Sequence, residues 1–218
     1  MVASSAISED DIANLIISDD LPGEPTFKAY IEARVYDNKG HLIRHHKQPM
    51  KSLTQAFLAL FSIAVAGTFQ GPSTDLATGV ISTVLGLPGQ QNSSEAASIS
   101  WDWSIQLGSG TQTFTPTLTT LAAPIANGSG AGQLTYGSVS VSYSQTSMSI
   151  TAVVSNYSNA SIPISEIGLI ATIYIQYYTS SCAKNSYSAL LTYDTFSSPI
   201  QIPPGGTAAF QITISFSG

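Results

Sequence analysis

All three histidines fall in one stretch, Gly40-His41-Leu42-Ile43-Arg44-His45-His46-Lys47, the only place where residue types alone suggest a metal site. Strand geometry argues against one. At about 3.3 Å per residue, His41 and His45 share a face but stand about 13 Å apart, and His46 points the other way, so no two can chelate one zinc. What remains is a basic strand that gains charge in acid as its imidazoles protonate. No metal and no cofactor is expected.

Other chemistries fare no better. A Ser-His-Asp triad on a hydrolase sheet needs a serine on a Gly-x-Ser-x-Gly turn, and no such pentapeptide occurs. Cys182 stands alone without the surroundings of a nucleophile, and it has no partner in the chain for a disulfide. Gly128-Ser129-Gly130-Ala131-Gly132 is glycine-rich, but it lacks the Gly-Lys-Ser/Thr ending of a phosphate loop and reads as a plain loop. A glycosidase needs two carboxyls roughly 5 to 10 Å apart, and the later strands offer only Asp102, Glu166 and Asp194, too sparse for a site. Trp101 and Trp103 could stack on sugar rings, but a pair at period two reads more readily as core. The chain is expected to be non-enzymatic.

Charge is distributed unevenly. Six of the seven basic residues, Lys28, Arg34, Lys39, Arg44, Lys47 and Lys51, lie between positions 28 and 51. With His45 and His46 they form a basic hairpin suited to an anionic partner. The net charge of −6 argues against general nucleic-acid binding, and the simplest partner is the acidic stretch 9–24 of this or another copy. Asn92, Asn127, Asn156 and Asn159 head N-glycosylation sequons in turn-like segments, which would place them on an exposed surface.

These residues must be carried by strands. Thr26 to Tyr36 alternates, with Phe27, Ala29, Ile31, Ala33 and Val35 on one side. Asp37-Asn38-Lys39-Gly40 supplies a turn, and His41 to Gln48 returns. Lys51 to Ala66 crowds apolar helix formers without a turn residue and is expected to be the one helix. It is too short to cross a bilayer by itself, so membrane contact through 51–66 is a minor expectation. Gly71 to Ser98 reads as long loops around a short apolar stretch, Val80 to Leu87. Strands then recur: Trp101 to Leu107, Val139 to Tyr143, Met148 to Val154 after a Ser144-Gln145-Thr146 turn, Ile167 to Tyr177, Ala189 to Phe196, and Ala208 to Phe216 after Pro203-Pro204-Gly205-Gly206. The expected architecture is a single all-β domain over 26–218, a β-sandwich of jelly-roll or immunoglobulin-like type with one helix after the first hairpin. Residues 1–25 form an N-terminal arm whose apolar piece, Ile12, Leu15, Ile16 and Ile17, lies between acidic clusters and suits either docking on a neighbour or closing the domain's own edge.

Only 9% of residues are charged, while 43% are hydrophobic. Ser, Thr, Asn, Gln and Gly replace the missing charge. Hydroxyls and amides keep a surface wettable in acid, where carboxylates lose their charge; a surface covered by neighbouring subunits is depleted of charge as well. Either environment points to a virion or an extracellular surface. Glu9, Asp10 and Asp11 stand where a secretory signal would carry a basic then apolar run, so no signal peptide is expected there.

Ile105-Gln106-Leu107-Gly108-Ser109-Gly110-Thr111, then Leu121-Ala122-Ala123-Pro124-Ile125, Glu166-Ile167-Gly168-Leu169 and Ser198-Pro199-Ile200-Gln201-Ile202 follow one another in an order that resembles β-sandwich virion proteins of phages and archaeal viruses. The resemblance spans about residues 28–218, rests on short loose motifs, and carries no catalytic residue. With the poor charge and single cysteine, the chain also looks like the jelly-roll coat components of turreted icosahedral archaeal viruses. The helix after the first hairpin departs from a standard jelly roll. The resemblance implies a capsid, penton, turret or fibre subunit that self-assembles with copies of itself and other virion proteins. Two alternatives stand beside it: a pilus-like filament subunit in which residues 10–20 serve as the donor strand for the next subunit, and a host-attachment module that binds surface glycans through Trp101, Trp103 and the tyrosines Tyr174, Tyr177, Tyr178 and Tyr187.

Overall fold

A computed structural model describes residues 26–58, 96–177 and 184–217. The arm with Ile12, Leu15, Ile16 and Ile17, the stretch Val80 to Leu87, Asn92 and Cys182 lie outside the described residues.

Eight strands follow in order: β1 (Thr26–Tyr36), β2 (Leu42–Pro49), β3 (Ala96–Gly108), β4 (Thr135–Tyr143), β5 (Ser147–Ser155), β6 (Ile162–Tyr177), β7 (Lys184–Ile202) and β8 (Thr207–Ser217). They build two antiparallel sheets, one of order β2-β1-β8-β5-β4 and one of order β3-β6-β7. The secondary structure of the described residues is almost wholly β, as the period-two alternation predicts.

One face of each sheet supplies a shared core. Ile31, Ala33 and Val35 of β1, Ile150, Ala152 and Val154 of β5, and Ala208, Phe210 and Ile212 of β8 pack with Ile105, Leu107, Ile167, Leu169 and Ile200 from the other sheet. The register explains which residues face in: Ile31 lies opposite Ile212, which lies opposite Ile150, which lies opposite Val141. The neighbouring row, one residue along, runs Lys47, Glu32, Gln211, Thr151, Ser140. The outer face of the five-stranded sheet is therefore a hydroxyl and amide surface, with Ser149 and Thr213 bonded at 2.9 Å, that becomes charged only at the β1–β2 hairpin.

The hairpin turns expected at 37–40 and 144–146 form, whereas the turn at Pro203–Gly206, expected to make a last hairpin, instead carries the chain from β7 in one sheet to β8 in the other. Asp37 Oδ1 accepts the backbone N–H groups of Lys39 (2.8 Å) and His41 (2.9 Å), and Gly40 adopts φ +81°, a value that favours glycine. Ser144 Oγ accepts from Ser147 N at 2.9 Å and ties β4 to β5.

The expected helix over 51–66 is corrected in its first turn. Leu53 bridges to Thr192, Tyr193 N donates to Ser52 O, and Thr54 N donates to Leu191 O, so this stretch runs extended along β7. A free strand edge offering carbonyls and amides outweighs helix propensity here. Among the described residues, 55–58 are helical, with Thr54 as N-cap: its Oγ1 accepts from Phe57 N at 3.4 Å and donates to Leu190 O at 2.6 Å. Residues 59–66 lie outside the described part, and no helix among the described residues is long and apolar enough to cross a membrane.

Candidate functional site

Two buried acids organise the three-stranded sheet. Glu166 is fully buried, and its carboxylate accepts two consecutive backbone amides, Ala122 N at 3.0 Å and Ala123 N at 2.7 Å. Its side chain occupies the space above Gly108, its cross-strand neighbour. The loop between Ser109 and Ile125 is thereby held over the outer face of the sheet, where Leu121 packs on Leu190 and Tyr193, with Phe114 and Leu118 beside them. Tyr193 fixes the same loop from its other end: its hydroxyl accepts from Gln112 N at 2.8 Å and donates to Gln112 O at 3.1 Å. Burial raises the Tyr193 pKa above that of an ordinary phenol. Gly168 completes the fit, because a side chain there would meet Leu190 and Leu121.

Asp194 does the corresponding work for the segment after β2. Its Oδ2 accepts Lys51 N at 2.9 Å, next to the Ser52 and Thr54 contacts with β7. Desolvation raises its pKa to about 6, against the lowering effect of the Lys51 amide and charge. Both carboxyls are thus engaged with backbone amides, an arrangement suited to bracing loops.

The basic hairpin divides into two faces. On the inner side, Arg44 Nη1 donates to Pro199 O at 2.8 Å, His46 sets its ring edge-on to Phe196 with centroids 5.6 Å apart, and Gln48 Nε2 donates to Thr195 O at 3.1 Å. These three residues tie β2 to β7. On the outer side, Glu32 pairs with Arg34 and, at 3.0 Å, with His45, while Lys47 Nζ lies 5.0 Å over the Tyr30 ring. The histidines face different partners, as strand geometry requires: His41 pairs with Asp37 at 3.1 Å, and no group of metal-binding side chains occurs among the described residues.

Trp103 is half-buried and packs against the core. Nothing is described of the Trp101 side chain. Asn127 and Asn159 are exposed, but Asn156 is corrected: it is fully buried, its Nδ2 donates to Ala160 O and Ile202 O, and its Oδ1 accepts from Ser158. An amide engaged on both N–H groups belongs to the interior, not to a glycan-bearing surface. The turn it fixes joins β5 to β6 and holds the Pro203–Gly206 turn through Gly205 N to Asn156 O.

Between β3 and β4 the two sheets leave a groove of about 580 Å³, lined by Gln106, Ile125, Tyr136, Val139 and Thr172 among others. The strand patterning does not indicate it. The bracing role of Glu166 is also missed by a search for paired catalytic acids. The available clue is a lone acid inside the apolar run Ile162 to Ile170.

No protein-family model, curated protein or solved structure matches the chain.

Proposed function

We propose that the protein is a non-enzymatic virion structural subunit, of capsid, penton, turret or fibre type, whose two sheets form a β-sandwich and which self-assembles through strand edges and its N-terminal arm. The observation that carries this reading is that, among the described residues, β2, β3 and β4 end their sheets with a strand partner on one side only, in a chain whose outer sheet face is hydroxyl-rich and whose buried acids are engaged in bracing loops. Edge strands invite pairing with another chain unless something covers them. A filament joined by donor strands would use the same edges, and particle shape separates the two. Electron microscopy and light scattering of the full chain between pH 4 and 7 test the reading: closed or capsomer-like oligomers support it, and a monomer at all concentrations contradicts it.

A further inference from the structure

We infer that residues 10–20 of one copy add as an antiparallel strand to the outer edge of β2 in a second copy. The inference rests on the assembly reading above and names its contact. β2 is guarded against its own kind: His45 and Lys47 face outward, and Pro49 closes its end, so two β2 edges would bring like charges together. An acidic strand meets no such barrier. Leu42 and Ile43, each 53% exposed, offer apolar side chains at this edge, and the arm supplies Ile12, Leu15, Ile16 and Ile17.

Length and charge agree. Asp11 to Asp19 spans eight residue steps, about 27 Å when extended, and Leu42 to Pro49 seven, about 23 Å. The acidic clusters therefore reach both ends of β2. Glu9, Asp10 and Asp11 meet the Lys47 and Lys51 end, and Asp19 and Asp20 meet the Lys39 and His41 end.

Chain reach selects a second copy. An antiparallel strand on β2 would end beside Leu42, which pairs with Tyr36 at the far end of β1 from Thr26. That is about 33 Å from Thr26, whereas the chain from Asp20 to Thr26 spans about 20 Å fully extended. An arm folding back on its own hairpin is confined to the parallel direction, the rarer pairing.

The test uses full-length chains in a Cys182→Ser background. One preparation carries Leu15→Cys and another Ile43→Cys; they are mixed, oxidised and read by mass spectrometry of the linked peptides. The expected product is a 15–43 disulfide joining two chains. Lys39→Glu with Lys47→Glu should lower its yield about fivefold, the size of two exposed ion pairs, and Asp11→Lys with Asp19→Lys should restore it. An intrachain 15–43 link in the double variant, with none in the mixture, overturns the inference in favour of closure on the same chain. Linkage of Leu15→Cys to Gln106→Cys instead overturns it in favour of the groove between β3 and β4. Oligomers that persist without any 15–43 link overturn it while leaving the assembly reading intact, and an unmodified chain that never assembles removes that reading as well.

Discussion

Gly108 lies directly across the β3–β6 pair from Glu166, and the space a side chain at 108 would fill holds the Glu166 carboxyl. Two segments 58 positions apart thus depend on each other: the absent side chain at one lets the acid at the other reach the amides of Ala122 and Ala123.

Gly108→Ala should push the Glu166 carboxylate from its amides and destabilise the fold by about 1–3 kcal/mol, as overpacking does. Glu166→Gln turns an amide N–H₂ toward a backbone N–H and should cost about 2–3 kcal/mol, the worth of hydrogen bonds to a charged acceptor. Urea unfolding measures both. The paired variant should cost less than the sum, since each change breaks the same contact.

Asp194 sets a pH dependence of stability. Its folded pKa of about 6 lies above the ordinary 3.8, so the native state holds this proton more tightly than the unfolded chain does. The contribution is therefore fully present below about pH 4 and is lost as pH rises through 6, by up to about 3 kcal/mol. Asp194→Asn, which keeps an acceptor for Lys51 N, should flatten this slope. The variant should exceed the parent in stability at pH 7 and match it at pH 4, as thermal unfolding at the two pH values would record.

Asn156→Ala should cost about 2–3 kcal/mol, because it removes the donors to Ala160 O and Ile202 O and the acceptor of Ser158 N from a buried amide. Expressed in a glycosylating host, the folded protein should carry no glycan on Asn156, whatever occurs at exposed Asn127 and Asn159. Peptide mass spectrometry reads this directly.

The strands were legible because alternation is a local property: Ile31, Ala33 and Val35 recur every second residue, and all three are core. The extended path of Lys51 to Thr54 was not, since nothing in Lys51-Ser52-Leu53-Thr54 announces that the β7 edge awaits it. Asn156 misleads for a similar reason. A sequon marks a turn, and turn residues are usually exposed, but this one is enclosed by its own turn and the Pro203–Gly206 turn. Among the histidines, spacing alone was enough to separate the side chains. Three of the short motifs are neighbours in space: Gly108, Ala122, Ala123, Glu166 and Gly168 build one latch. Sequence order alone could not place them together.

The central claim, assembly through the arm, is tested most directly by sedimentation velocity of the full chain and of a chain lacking residues 1–22. Burying Ile12, Leu15, Ile16 and Ile17 against a neighbour supplies several kcal/mol at about 25 cal/mol per Å², enough to hold a contact between copies. The full chain should sediment as large oligomers, and the truncated chain as a monomer with unchanged near-ultraviolet circular dichroism. Oligomers formed equally by the truncated chain would contradict the account, as would a full chain that stays monomeric.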